Sequence, residues 1–305
     1  MPLILLTRWF FLAQVRYDEN LPSFLKILGD LVEKEQEFVL AVVVSVKGSA
    51  TAKVGAKGVI LPDGRVLGWL GGWCSENAIT LAALEVLKTG SPKLLKLVMA
   101  GEELKRIDEN VIEVGTPCGG EVLLYMEPVY PRPQIIIVGH NEVSKALARL
   151  GKFMGYKVTV VDRAADVREY PEADKVLTSI KELDNARIDR HTYAVIATMG
   201  RTEVDVEAID YLARKSPARI YLVASVNRAQ EVFRRLARKG HKISDLKAKV
   251  EAPAGIHIGA ITPEELALSL VAGIVAHRRG GKGRFMVEVK GSPYDKLEQL
   301  VAKGE

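Results

Sequence analysis

The stretch IIIVGHNEVS, residues 135–144, decides the fold of the second half of the chain. Four successive β-branched residues predict a buried strand, and Gly139 predicts a tight turn into a helix that begins near Glu142. Such a turn presents the N-terminal amides of the helix to a phosphate group. The next apolar run ends at Asp162, 23 residues beyond Gly139. An acidic side chain at that point is typical of ribose binding, so the stretch predicts a strand–turn–helix unit of the nucleotide-binding type.

Short apolar strands and amphipathic helices alternate from residue 131 to about residue 280. The predicted strands cover 135–138, 157–161, 175–177, 193–198 and 220–224. The predicted helices cover 142–154, 204–214, 228–239 and a last segment that starts in the capping box Thr262-Pro263-Glu264-Glu265 and runs to about His277. This alternation predicts an α/β domain of Rossmann type over residues 131–280, in which helices cover both faces of a parallel sheet.

The glycine pattern of a dinucleotide site is incomplete in this domain. Gly139 is present, whereas Asn141 and Ser144 occupy the places of the other two glycines. The Asn141 side chain therefore stands where the backbone of a dinucleotide-binding turn approaches the phosphates. Gly139, Asn141 and Asp162 are candidate nucleotide-binding residues. A Rossmann scaffold that serves only packing and dimerisation is the alternative.

The first half of the chain lacks this regular alternation. Its predicted elements are a helix within 21–37, strands at 38–46, 59–61, 66–70, 111–114 and 121–126, and a helix from about Glu76 to Lys88. Pro62-Asp63-Gly64 predicts a hairpin turn, because proline presets one turn angle and glycine supplies positive φ. These elements predict a smaller, mixed α+β domain over residues 21–130, followed by a stiff proline-rich linker at 128–133. Residues 1–20 are expected to be an extension and residues 281–305 a charged tail.

Two cysteines stand in glycine-rich loops of this smaller domain. Cys74 follows Gly71-Gly72 and immediately precedes the predicted helix, with Ser75 as its expected N-cap. A thiol at a helix N-terminus has a lowered pKa and a larger thiolate fraction. Glu76, two residues further on, is placed to accept a hydrogen bond or to move a proton.

The second cysteine lies in the loop Pro117-Cys118-Gly119-Gly120, where glycines let a ligand or another backbone come close. The alternative is that Cys74 and Cys118 are small buried hydrophobic residues in tight turns. Residues 47–58 form a small, basic loop containing Ser49 and Lys57. That loop can cradle an anionic ligand, although a solvated connection between strands has the same composition.

Composition excludes several classes of protein. Two cysteines in 305 residues exclude a disulfide-built secreted scaffold. The net charge of +5 comes from 43 basic residues dispersed among 38 acidic ones, which indicates a solvated surface and no nucleic-acid partner. The apolar stretch 1–15 is interrupted by Arg8, is too short to span a bilayer, and lacks the basic start and cleavage site of a signal peptide. The sequence therefore predicts a cytoplasmic protein without a membrane association.

Residues 36–280 resemble the XdhC/CoxI family, the accessory proteins of xanthine dehydrogenases and related molybdenum hydroxylases. The resemblance rests on motifs in a fixed order: Val-Lys-Gly-Ser-Ala at 46–50, Leu-Gly-Gly-Trp-Cys-Ser-Glu at 70–76, Pro-Cys-Gly-Gly-Glu-Val at 117–122, the Gly139 turn with Asp162, and Ala-Pro-Ala-Gly-Ile-His-Ile-Gly-Ala at 252–260. It implies a cysteine-loop domain followed by a Rossmann domain.

The resemblance also implies a function and site residues. Such proteins bind the molybdopterin cofactor, assist its sulfuration with a cysteine desulfurase, and deliver it to the apo-subunit of a molybdenum hydroxylase. By position, Cys74 and Cys118 would contact or sulfurate the metal centre, and Glu76 would support Cys74. Lys57 and the loop around Ser49 would approach the anionic phosphate. The glycine pairs Gly71-Gly72 and Gly119-Gly120 complete the expected cofactor-binding set.

The chain departs from the family pattern at several positions. Thr51-Ala52 stand where a Pro-Arg pair is usual, Met199 where histidine is frequent, and His257 where aspartate is usual. Two further functions therefore stay open: an NAD(P)-dependent oxidoreductase that uses the Rossmann domain, and a nucleotide-sensing scaffold without chemistry. A homodimer is expected because most soluble oligomers have this form.

Overall fold

The computed structural model describes residues 21–72, 75–116, 119–294 and 297. The predicted extension at 1–20, both cysteines and most of residues 295–305 lie outside this part of the chain. The chain divides after Pro131 into two compact units. No helix of the described residues is long and apolar enough to cross a membrane.

A mixed sheet with two longer helices forms the first unit. Its elements are α1 (Leu21–Glu33), β1 (Phe38–Gly48), β2 (Lys57–Ile60), β3 (Val66–Gly68), α2 (Glu76–Thr89), β4 (Lys93–Met99), β5 (Lys105–Arg106), β6 (Val111–Val114) and β7 (Gly120–Val129). The strand order is β3-β2-β1-β7-β4-β6-β5, and only the β4–β6 pair among these is parallel. The prediction of a mixed α+β unit is confirmed.

The predicted hairpin forms between β2 and β3. Gly64 adopts a φ of 85° and its N–H donates to the Leu61 carbonyl, so the turn needs the conformational freedom of glycine. The linker prediction is partly wrong, because β7 continues through Pro128 to Val129. Pro128 pairs with Val39 of β1, whereas the pairing of β7 with β4 ends at Met126. Among the described residues, no strand pairs with Pro128 on the β4 side of β7, so a residue without an N–H is tolerated there.

The second unit has the architecture that the sequence predicts. Its elements are β8 (Gln134–Val138), α3 (Glu142–Phe153), β9 (Lys157–Val161), β10 (Lys175–Leu177), β11 (Thr192–Ile196), α4 (Thr202–Lys215), β12 (Arg219–Leu222), α5 (Val226–Arg238), α6 (Ile243–Lys249), β13 (Val250–Glu251), α7 (Pro263–Arg279) and α8 (Met286–Lys290). All strand pairs are parallel, in the order β10-β9-β8-β11-β12-β13. This is the Rossmann order, in which the first strand of the unit lies beside the fourth.

Sequence patterns locate the helix ends of this unit well. Thr262 caps α7 by accepting from the Glu265 N–H, and the Glu265 side chain accepts from the Thr262 N–H, as the capping box predicts. The short elements have no such signal: α6 buries only Leu246, and β13 has two residues. Segments with so little apolar surface carry no periodicity, and the tertiary contacts of the sheet edge determine their structure.

Candidate functional site

Residues 48–52, here called the bridging segment, contact both glycine loops of the first unit. Gly48 at the end of β1 pairs with Gly120 at the start of β7. A Cβ atom on Gly120 would lie 2.7 Å from the Lys47 carbonyl oxygen and 3.1 Å from the Ser49 nitrogen, so this contact requires glycine. On its other side, the bridging segment accepts a hydrogen bond of 2.7 Å from the Gly72 N–H to Thr51 Oγ1. The structure thus places Gly72 and Gly120 each in contact with the bridging segment, which contains Ser49.

Two residues with hydroxyl groups form hydrogen bonds with the backbone N–H and carbonyl of Gly72. Thr51 accepts from its N–H, and the buried Ser75 donates from Oγ to its carbonyl oxygen at 2.8 Å. Ser75 stands at the N-cap position of α2, but its side chain makes no capping hydrogen bond. The expected capping role of Ser75 is therefore wrong, because its hydroxyl donates to the Gly72 carbonyl and does not cap the helix. Sequence reasoning also missed Thr51, whose only signal is its departure from the usual Pro-Arg pair.

A cavity of about 330 Å³ adjoins the Gly71-Gly72 loop. Its walls come from β3, the following loop and the start of α2, namely Val66, Gly68, Trp69, Leu70, Gly71, Gly72, Ser75, Glu76 and Ile79. Gly71 has a φ of 139°, and a Cβ atom there would touch Ala52 of the bridging segment at 3.4 Å. Glu76, in the first turn of α2, is exposed to solvent and supplies the carboxylate of the cavity wall.

The other candidate residues of this unit have separate environments. Lys57 starts β2, and its ammonium donates to the Gly55 carbonyl at 3.0 Å, within its own loop. Its backbone carbonyl accepts from the Trp69 N–H, which ties β2 to the cavity wall, although Lys57 itself is not a lining residue. Gly119 has a φ of 64°, and a Cβ atom on it would meet no atom of the described residues within 4 Å.

Both candidate thiols, Cys74 and Cys118, lie outside the described residues. Gly72 and Ser75 precede and follow the first of these positions along the chain, and Thr116 and Gly119 flank the second. No group of three or more metal-ligating side chains occurs in the part of the chain that the structure describes. The predicted molybdenum contact of the two cysteines therefore stays a prediction.

In the second unit, the Gly139 turn lies between the carboxyl ends of β8 and β11. Gly139 has a φ of 132°, and a Cβ atom on it would lie 2.8 Å from the Ala197 carbonyl carbon. This approach of two backbones explains the glycine without a ligand. The Asn141 side chain caps α3 by accepting from the Ser144 N–H at 3.1 Å, and its amide donates to the Ala197 carbonyl at 2.6 Å. Its backbone is extended, with a φ of −170°.

Asp162 is bound by an arginine that the sequence analysis did not identify. The Arg201 guanidinium pairs with both oxygens of the buried Asp162 carboxylate, and the Ala164 N–H donates to Oδ1 at 3.0 Å. Burial raises the pKa of Asp162, but these donors outweigh burial and hold the pKa below its ordinary value. The carboxylate that a ribose would use therefore accepts hydrogen bonds from the chain itself.

A second buried carboxylate lies near the same sheet edge. Asp205 of α4 is fully buried, accepts from Thr198 Oγ1 at 2.5 Å, and pairs with Arg228 of α5 at 3.2 Å. Burial raises the pKa of Asp205, because the two partners compensate only part of the lost solvation. This network joins the end of β11 to two helices. No motif in the sequence marks it, since Arg228 lies 23 positions after Asp205 on another helix.

Sequence comparisons identify both units. A model described as the XdhC and CoxI family matches residues 31–97, and one described as the XdhC Rossmann domain matches residues 135–274. A Bacillus subtilis (strain 168) protein, named as a probable subunit of xanthine dehydrogenase, is 26% identical over 332 aligned positions, covering 84% of this chain and 98% of that protein.

Two similar proteins come from Escherichia coli (strain K12). YqeB is 27% identical over 267 residues, covering 85% of this chain, and the chain spans about half (47%) of its length. The molybdenum cofactor insertion chaperone PaoD is 29% identical over 100 residues, which are 33% of this chain and 29% of PaoD.

A crystal structure of a Bacillus halodurans protein described as a xanthine dehydrogenase is also similar. It is 20% identical, with a TM-score of 0.43, and covers 89% of this chain and 98% of that one. The two family matches fall one in each unit of the fold, and they cover the motifs on which the resemblance rests except the one at 117–122. This chain belongs to the XdhC and CoxI family.

Proposed function

We propose that this chain is an accessory protein that binds the molybdopterin cofactor, assists its sulfuration and inserts it into the apo-subunit of a xanthine dehydrogenase- or CO dehydrogenase-type molybdenum hydroxylase. One observation supports this most directly: Gly72 and Gly120, from the two cysteine-containing loops, both contact the bridging segment. Family membership and the name of the similar chaperone PaoD support the same function.

The proposed roles follow the positions of the side chains. Cys74 and Cys118, as thiolates, contact the metal centre of the cofactor, which is the cargo of the protein. Glu76 stands on the cavity wall, two residues after Cys74, and it supports that thiol as an acceptor or a proton carrier. Ser49 and Lys57 belong to the basic loop that attracts the phosphate.

Sulfuration needs partners that supply sulfur and electrons. A cysteine desulfurase provides the sulfur as an enzyme-bound persulfide, and the terminal oxo ligand of the cofactor leaves as water after taking up two protons. Because persulfide sulfur is more oxidised than sulfide, a thiol reductant supplies two electrons. The chain binds and hands over the cofactor, so it acts as a chaperone and not as a turnover enzyme. We further propose that it works in the cytoplasm as a homodimer.

Cofactor retention tests this proposal. The protein is produced in cells that make molybdopterin, purified, and its cofactor content is measured by oxidation to a fluorescent pterin derivative. We expect wild-type protein to carry cofactor, and Cys74→Ala and Cys118→Ala each to lose most of it while keeping the same circular dichroism spectrum. Equal cofactor in wild type and variants, or none in wild type supplied with an excess, would contradict the proposal.

An NAD(P)-dependent oxidoreductase is supported less well by the second unit. The Asn141 amide binds the Ala197 carbonyl at the turn, and Arg201 binds the carboxylate that would accept the ribose hydroxyls. A dinucleotide would have to displace both interactions. We therefore expect calorimetric titration with NAD and with NADP to show no micromolar binding.

A further inference from the structure

The cavity of the first unit has the size of a site for a single ring system. Its volume of about 330 Å³ lies near the lower end of the range of roughly 300–1,000 Å³ found for small-molecule sites. Val66, Trp69, Leu70 and Ile79 give it apolar and aromatic walls. A planar fused heterocycle suits such walls, because it stacks on an indole and buries its faces against aliphatic side chains.

The polar chemistry of the cavity comes mainly from one carboxylate. Glu76 lines the cavity, and none of the other described residues forms a hydrogen bond or an ion pair with its side chain. An ionised carboxylate has two acceptor oxygens and no donor. It binds best to a ligand that presents two N–H donors side by side, as arginine does. A neutral heterocycle with that pattern is one with a 2-amino-4-oxopyrimidine edge, whose amino group and ring N3–H are adjacent.

The Glu76 carboxylate also favours one orientation of a ligand that carries a pterin ring at one end and a phosphate at the other. A phosphate beside Glu76 would be repelled, since two like charges in a partly desolvated site disfavour each other. The donor edge of the ring is attracted instead. The glycines at 71 and 72 leave the cavity wall on that side without side chains, so a ring can approach the backbone there.

We propose that this cavity binds the pterin ring of the cofactor, with Trp69 against the ring face and the Glu76 carboxylate accepting from the 2-amino group and N3–H. The inference rests on the proposed function and adds the recognition of one part of the cargo. Glu76 is then a specificity-determining residue that binds the ring in place of supporting the Cys74 thiol, and the phosphate end of the cofactor lies away from it.

Two small probes that differ at one position test the inference. Pterin carries the 2-amino group, whereas lumazine carries an oxo group there and offers the carboxylate one donor fewer. Calorimetric titration of the full chain should show pterin binding about tenfold or more tighter than lumazine, as expected for the loss of a hydrogen bond to a charged acceptor. Glu76→Gln presents one acceptor and one donor, so it should weaken pterin and abolish the difference between the probes.

The matched control is Glu264→Gln, which removes a first-turn carboxylate from α7 and leaves the cavity intact. It should keep the wild-type preference for pterin. Equal binding of both probes to wild type, or an unchanged preference in Glu76→Gln, overturns the pterin pocket. If the purified protein still retains molybdopterin in that case, the proposed function stands and only this site is wrong. If wild type retains no molybdopterin, the proposed function fails as well.

Discussion

Thr51 is the side chain that ties the bridging segment to the Gly71-Gly72 loop. Its Oγ1 accepts from the Gly72 N–H at 2.7 Å, two residues before Cys74. Thr51→Val keeps the shape of the side chain and removes the acceptor, so the loop loses its anchor. Cys74 directly follows this loop in the sequence, and its expected preference for the thiolate depends on how the loop leads into α2. In a Cys118→Ala background, we expect alkylation of Cys74 at pH 7 to slow by about threefold or more.

Thr51→Ser serves as the rescue variant, because it restores the hydroxyl without the methyl group. Its alkylation rate and pH profile should match those of wild type. A purely structural role of Thr51 predicts that both variants change the unfolding free energy and leave the pH profile of alkylation unchanged. That result would contradict a positioning role.

Gly139 shows how a motif residue can be required by the fold alone. Alanine there meets both a positive φ of 132° and the Ala197 carbonyl group. Gly139→Ala should lower the free energy of unfolding by about 2–4 kcal/mol, measured by urea denaturation. Gly155→Ala is the matched control. Gly155 has a φ of 82°, and no atom of the described residues lies within 4 Å of the added Cβ atom, so we expect only the backbone cost of about 1 kcal/mol. Equal losses in the two variants would show that the close approach to Ala197 is unimportant.

At the scale of the element, Asp210 connects α4 to the segment that follows α5. It accepts from His241 Nε2 at 2.7 Å and from Arg214 at 2.8 Å, and it pairs with Lys239 at 3.3 Å. Burial raises the pKa of Asp210, but these three donors outweigh burial and lower it to about 2. The folded pKa is thus below the ordinary value of 3.8, so the stabilisation is complete above about pH 4 and is lost as the pH falls toward 2.

Asp210→Asn should remove this pH dependence. We expect it to cost about 1–2 kcal/mol of unfolding free energy at pH 7 and progressively less at pH 3, by urea denaturation at each pH. Glu207→Gln, which changes an exposed carboxylate of the same helix, should stay within about 0.5 kcal/mol of wild type at both values. A cost for Asp210→Asn that is the same at pH 7 and pH 3 would exclude the proposed linkage.

The elements show which parts of the molecule a sequence can predict. Strand β8, the turn at Gly139 and the capped start of α7 follow from local pattern, because β-branched runs and capping boxes act within a few residues. The partners of the predicted site residues do not follow from any local pattern. Arg201 reaches Asp162 from 39 positions away, and Thr51 reaches Gly72 from 21 positions away. Such pairs depend on strand order, which no local pattern contains.

At the scale of the whole molecule, the two units have their own cores. The buried clusters of the first unit draw on residues between 24 and 130, and those of the second on residues between 135 and 275. The Rossmann unit buries the faces of a parallel sheet under helices on both sides, and we expect a core of this kind to let a domain of this length fold alone. The motifs of the proposed cofactor site belong to the first unit. In the second unit, the side chains of the candidate nucleotide-binding residues Asn141 and Asp162 form hydrogen bonds within that unit.

These separate cores predict that the units unfold independently. A fragment that starts at Arg132 should fold, with cooperative thermal unfolding and the helical circular dichroism of α3, α4, α5 and α7. In the full chain, Gly139→Ala should then lower the midpoint temperature of one calorimetric transition by several degrees and leave the other midpoint unchanged, because the strain lies in the second unit only. If the full chain shows a single transition and Gly139→Ala lowers its midpoint temperature, the units are energetically coupled. A ligand bound to the first unit would in that case also stabilise the Rossmann unit, by the same linkage.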